Sequence, residues 1–162
     1  MPTHALFFSS SHRGTEKKQM ASGTLTGNVQ SLGKGPMRPI TKISMTWTST
    51  SGGAVSQTVV DGNGNTVYVS GELLRVVFIP GTGGNQPSNN YSAQLTDQNG
   101  IDLLAGQGAT LSNTTTTHVC PGVKVTDGAT STERAIAGDD KLTLVIGSAG
   151  NGKQGAVVLY LR

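Results

Sequence analysis

The most regular stretch of the chain is residues 43–48, ISMTWT, where Ile43, Met45 and Trp47 alternate with Ser44, Thr46 and Thr48. A period of two places the three apolar side chains on one face, which predicts a half-buried strand. Val55, Val59 and Val60 mark a weaker strand after the turn SGGA, and Val67 and Val69 begin another after DGNGN at 61–65. Residues 73–79, LLRVVFI, are apolar on both faces apart from Arg75, the pattern of a strand covered on both sides. Pro80 and the Gly-rich run through Asn90 end it, and Tyr91, Ala93 and Leu95 then alternate with Ser92, Gln94 and Thr96. DQNG at 97–100 hands over to Ile101, Leu103 and Leu104, a hairpin signal because Asn-Gly readily takes positive φ. Short strand candidates come next around Val119 and around Val123 and Val125. Residues 141–146 (KLTLVI) and 156–161 (AVVLYL) are two strong apolar strands joined by GSAGNGKQG. About eight strands with turn signals between them predict a sandwich or barrel. Direct β-to-β connections argue against a parallel α/β sheet.

Residues 9–42 sustain no period of 2 or of 3.6. Their apolar residues are sparse (Met20, Leu25, Val29, Leu32, Met37, Ile40), and Gly33, Gly35, Pro36 and Pro39 interrupt them. Such a stretch buries too little apolar surface to offset its ordering entropy. It is expected either as a disordered tail or as an arm that becomes ordered on a partner, with Phe7 and Phe8 as anchors. The predicted organisation is an extended basic arm over residues 1–42, then an all-β domain over residues 43–162. That domain is expected as an antiparallel β-sandwich, jelly-roll-like in architecture.

Charge follows the same division. Residues 1–42 hold Arg13, Lys17, Lys18, Lys34, Arg38 and Lys42 against Glu16 alone, whereas the remainder carries six basic and eight acidic residues. A uniformly basic nucleic-acid-binding domain would not divide this way. Beyond Phe7 and Phe8 the arm has no aromatics to stack on bases, so only salt-dependent attraction to phosphates would remain, and nucleic acid is not an expected partner. Gly, Thr, Ser and Asn supply 68 of the 162 residues, a composition of strands, turns and loops that excludes an all-helical fold. No run approaches the ~20 apolar residues of a spanning helix. The short apolar run at 5–8 is followed rather than preceded by Arg13, so no signal peptide is expected. One cysteine, Cys120, leaves no internal disulfide framework and no cysteine-built zinc site.

Four motifs invite a chemical interpretation. Residues 147–153, GSAGNGK, match the spacing of a phosphate-binding loop. Gln154 stands where Ser or Thr should meet the metal, however, and a strand rather than a helix comes after it, so a hairpin loop is expected. In 61–72, DGNGNTVYVSGE, the residues Asp61, Asn63, Asn65 and Glu72 fall at positions 1, 3, 5 and 12 of a helix–loop–helix calcium loop. Thr66 replaces the glycine that loop needs, and an Asp/Asn/Gly turn explains the same letters without metal. His118 and Cys120 share one side of a strand with no carboxylate orienter, and are read as a strand residue and its buried small neighbour. Asp97, Asp102, Asp139 and Asp140 lie beside turns, where Asp bonds to local backbone. Trp47 belongs with the core. No catalytic residue, cofactor or metal is assigned, and the chain is expected not to be an enzyme.

The segments GELLRVVFIPGTGGNQPSNNYSAQLTDQNGIDLLAGQGATLSN and DDKLTLVIGSAGNGKQGAVVLYLR are similar to small structural proteins of tailed phages and prophages, with the resemblance spanning about residues 40–162. It implies a virion component, and foremost a capsid decoration (cement) protein. Such proteins are β-rich, often trimeric, and bridge capsid subunits with terminal arms. The resemblance thus implies a protein made in the host bacterial cytoplasm and carried on the capsid surface. It would bind the major capsid protein or other virion subunits, as a homo-oligomer with a trimer favoured. On this footing Phe7 and Phe8 are apolar anchors of the arm, and Arg13, Lys17, Lys18, Lys34 and Arg38 its charge complements. A head–tail connector and a tail or head-fibre component are alternatives. So is a host-surface or carbohydrate-binding module acting through loops 81–90 and 105–117.

Overall fold

Alternation like that of residues 43–48 recurs along the core strands and sorts their side chains between an interior and an outer face. The computed structural model describes residues 23–32, 39–121 and 136–162. Among them are nine strands: β1 (Thr24–Leu32), β2 (Ile40–Thr48), β3 (Val55–Thr58), β4 (Tyr68–Pro80), β5 (Ser92–Thr96), β6 (Thr117–Val119), β7 (Ile136–Lys141), β8 (Thr143–Gly147) and β9 (Gln154–Leu161). One sheet has six strands in the order β1-β2-β9-β4-β6, with β7 also paired to β4, and the other has the order β3-β8-β5. Every pairing is antiparallel. The fold is therefore all-β and antiparallel, as the alternation predicts. Its sheets interleave: β2 and β3 lie against β9 and β8, so a two-stranded ribbon passes from one sheet into the other. That wrapped path is the jelly-roll arrangement of a double sheet.

The interior is lined from the large sheet by Ile43, Met45 and Trp47 of β2, Leu73, Val76 and Phe78 of β4, and Val157, Leu159 and Leu161 of β9. Val55, Ala93, Leu95, Leu144 and Ile146 of the small sheet close over them. Each fully buried Val, Leu or Ile contributes about 1.5–3 kcal/mol relative to exposure. Trp47 packs at a tilt on Tyr91, with ring centroids 5.9 Å apart. Burial pushes the Tyr91 phenol up to about 12. Gly155 permits the Trp47 position, since a Cβ there would lie 2.6 Å from the indole Cζ2.

The structure departs from the sequence expectations at five places. The arm was expected through residue 42, yet residues 24–32 form β1 and β2 already begins at Ile40. β1 buries only Gly27, so it joins the sheet through backbone pairing and leaves no hydrophobic period to read. The strands expected near Val67 and over 73–79 are one strand, β4, held past Gly71 by mutual backbone bonds between Glu72 and Arg162 (2.7 and 3.0 Å). The expected strand 141–146 is divided at Leu142, where the chain leaves β7 in one sheet for β8 in the other. β7 itself, IAGDDK, has too little apolar alternation to be seen in sequence. The hairpin expected after DQNG is reduced to a single bridge, Thr96↔Asp102. There the Asp102 carboxylate accepts from the amides of Leu95, Leu104 and Gly106 (3.3, 3.0 and 3.0 Å), turning the chain away from the ladder. The strand candidates at Val123 and Val125 lie outside the described residues.

Candidate functional site

Two of the described carboxylates, Asp61 and Asp97, are occupied in turns. Asp61 Oδ1 accepts from the amides of Asn63 and Asn65 at 2.9 and 2.8 Å. Asp97 Oδ1 takes the amides of Asn99 and Ile101 at 2.9 and 2.8 Å in the same way. Each turn also contains a glycine in the left-handed region, Gly64 at φ 83° and Gly100 at φ 81°, which a side chain would strain. The Asn65 amide and side chain, bonding to Asp61, hold its carboxyl below the usual carboxylate range. Glu72 pairs instead with Arg162 at 2.9 Å, on β4. Residues 61–72 thus form a turn and a strand.

Asp139 and Asp140 sit in β7 at an irregularity opposite Val69 and Ser70 rather than beside a turn. Asp139 has φ 58°, and its amide donates to Ser70 Oγ at 2.8 Å. A bulge inserts a residue and leaves such a group to find a local partner. Among the described residues no three His, Cys, Asp or Glu side chains gather as a metal site would require. His118 is exposed on β6, and Cys120 is exposed and free. The expectation of a buried cysteine beside Val119 is therefore corrected: Val119 points inward, and its neighbours alternate outward.

GSAGNGK is the β8–β9 hairpin loop. Its groups are committed to neighbouring backbone rather than to an anion. The Ala149 amide donates to Gly53 O at 2.9 Å, Ser49 Oγ donates to Gly150 O at 2.6 Å, and Lys153 Nζ donates to Gly84 O at 2.9 Å. Ser49 Oγ also accepts from the Lys153 amide at 2.8 Å. The loop thereby ties the end of β2 to the 81–90 segment.

Beside this bracing lies an open surface. A groove of about 450 Å³ runs over the ends of β2, β9 and β4, lined by Thr46, Trp47, Thr48, Ile79, Pro80, Gln154, Gly155 and Ala156. Ile79 opposes Ala156 in the register, and Thr46 opposes the same alanine from the other side. Next to it, sharing Pro80 and Gly81, lies a smaller cleft of about 170 Å³ between Thr82, Gln86, Asn113 and Thr114. Gln86 Nε2 donates to Asn113 O at 2.9 Å and joins the two loops. The loops 81–90 and 105–117 are thus brought together, as a shared binding surface would need. Further along the outer face, the Arg75 guanidinium lies 4.4 Å from the Tyr160 ring centroid, a cation–π contact. The groove residues were missed in sequence because only strand register reveals them: Thr46, Ile79 and Ala156 are far apart in the chain.

Phe7, Phe8, Arg13, Lys17, Lys18, Lys34 and Arg38, the expected contacts of the arm, lie outside the described residues. No helix among the described residues is long and apolar enough to cross a membrane. No protein-family model, curated protein or solved structure matches the chain.

Proposed function

We propose that this chain is a non-enzymatic virion protein that decorates and stabilises a phage capsid, its β domain seating on the shell and its N-terminal segment adding contacts. The observation that carries this reading is the interleaved strand order of the two sheets. A double-sheet jelly roll is a recurring architecture of viral shells. It presents a broad outer sheet face to a neighbour. The basic surplus of residues 1–42 points the same way. In this account Phe7 and Phe8 anchor the leading segment, while Arg13, Lys17, Lys18, Lys34 and Arg38 complement an acidic shell surface. The protein acts as a homo-oligomer on the capsid exterior.

The test is co-sedimentation of the full chain with heads that lack it. Saturable binding is expected, and its absence sinks the proposal. Replacing Phe7 and Phe8 with Ala, together with Lys17→Glu and Lys18→Glu, should weaken occupancy at least about tenfold if these side chains are anchors. Unchanged occupancy removes the leading segment from the mechanism. The cleft shared by Gln86, Asn113 and Thr114 favours a second reading, a carbohydrate-binding module. A glycan array probed with the full chain separates the two, because binding there without binding to heads selects the module.

A further inference from the structure

A strand at the edge of a sheet is a template for another chain, and proteins blunt such edges with shortness, charge, bulges or a cover. Most edges of this molecule are blunted so. β3 and β6 have four and three residues. β7 carries Asp139, Asp140 and Lys141 and faces a register shift. β5 is covered by the segment after it, through Ala93 N to Gly108 O and Leu103 N to Leu95 O, both 2.8 Å.

β1 has none of these devices. Its nine residues, TLTGNVQSL, contain no charge and no proline. Its register with β2 is unbroken from Thr24↔Thr48 to Leu32↔Ile40. Every residue from Asn28 to the end of the strand is exposed, including Val29 and Leu32 at 42% each. Among the described residues, β1 makes no backbone hydrogen bond beyond its ladder with β2, although Gly27 lies against the Val60 carbonyl.

We propose that β1 pairs antiparallel with β1 of a second copy across a two-fold axis at Asn28, fusing two six-stranded sheets into one. The sequence of the strand selects a second copy over a foreign strand. A two-fold axis sets residues near the centre against themselves, so any charge there would repel its own image, and β1 is neutral throughout. Pairing about Asn28 sets Thr24 against Leu32, Thr26 against Gln30 and Gly27 against Val29. Gly27 faces the Val60 carbonyl of its own chain, so the contact is made by backbone pairing rather than by side-chain fit. About nine backbone hydrogen bonds would form along such a ladder. An isologous contact also consumes the edge in both copies, so assembly stops at two along this direction. None of this depends on a capsid partner.

The experiment is sedimentation of the full chain over a concentration series. A reversible dimer is expected in the wild type. Asn28→Lys and Asn28→Asp should each weaken it about tenfold, because like charges then face each other across the axis. An equimolar mixture of the two variants should restore it. Three results overturn the proposal: a wild type still monomeric at about 1 mM, association that Asn28→Lys leaves unchanged, or loss in both variants without recovery on mixing. A measurement free of charge effects places a spin label at Asn28→Cys in a Cys120→Ser background. A short inter-label separation, set by Cβ atoms about 5 Å apart, is expected in the dimer, and a long one excludes this axis.

Discussion

β1 and β9 lie on either side of β2, each paired with it in a continuous antiparallel register. Their energetics nevertheless differ. β9 sends Val157, Leu159 and Leu161 into the core, whereas β1 buries Gly27 alone. Gly27 is also where β1 touches the small sheet side, since a Cβ there would collide with the Val60 carbonyl. One strand is held by what it buries, and the other by its backbone ladder. Equal pairing therefore does not mean equal contribution to stability. The strand that contributes least to the core is the one left able to contribute to something else.

The sharpest way to break this contrast is Leu159→Ala on β9. Leu159 is fully buried between Ile43 and Val76, and its truncation should cost about 2–5 kcal/mol in denaturant unfolding. The matching change on β1, Val29→Ala, should stay within about 0.5 kcal/mol when measured at a concentration where the chain is monomeric. Comparable losses from the two would show that β1 belongs to the core after all. The smallest expected effect concerns the turns that join the strands. The Asp61 carboxyl lies below its ordinary value in the folded chain because the amides of Asn65 and Asn63 bond to its charged form. A depressed acid stabilises the fold above its unfolded pKa, and that contribution disappears as pH falls through the folded value. The stability advantage of wild type over Asp61→Asn should thus be present at neutral pH and vanish in strong acid. An advantage that persisted in acid would assign the turn to geometry alone.

The same contrast explains what could be read in advance. Ile43, Met45 and Trp47, or Tyr91, Ala93 and Leu95, alternate because one face meets the core, so burial wrote itself into the sequence. β1 and β7 lack that imprint, since Gly27 is the single buried position of one and Gly138 to Lys141 of the other are polar or small. Asp102 bonds local backbone as its place beside a turn predicts, and the additional amide of Leu95 is brought to it only by the fold. The hairpin nature of GSAGNGK was legible, because a phosphate loop must open a helix and here the next residues are visibly a strand. The groove was not, because Thr46, Ile79 and Ala156 meet only through the registers of β2, β9 and β4.

β9 occupies the centre of the large sheet between β2 and β4, although both of those are translated well before it. While the ribosome is still at work, the apolar rows of Ile43, Met45 and Trp47 and of Val76 and Phe78 have no strand between them to pair with. Loops this long are slow to close, which sets folding in the millisecond-to-second range of β proteins with distant contacts. Structure is therefore gained late and nearly all at once, after synthesis of residues 154–161. Until then the apolar rows that β9 covers are without their central strand.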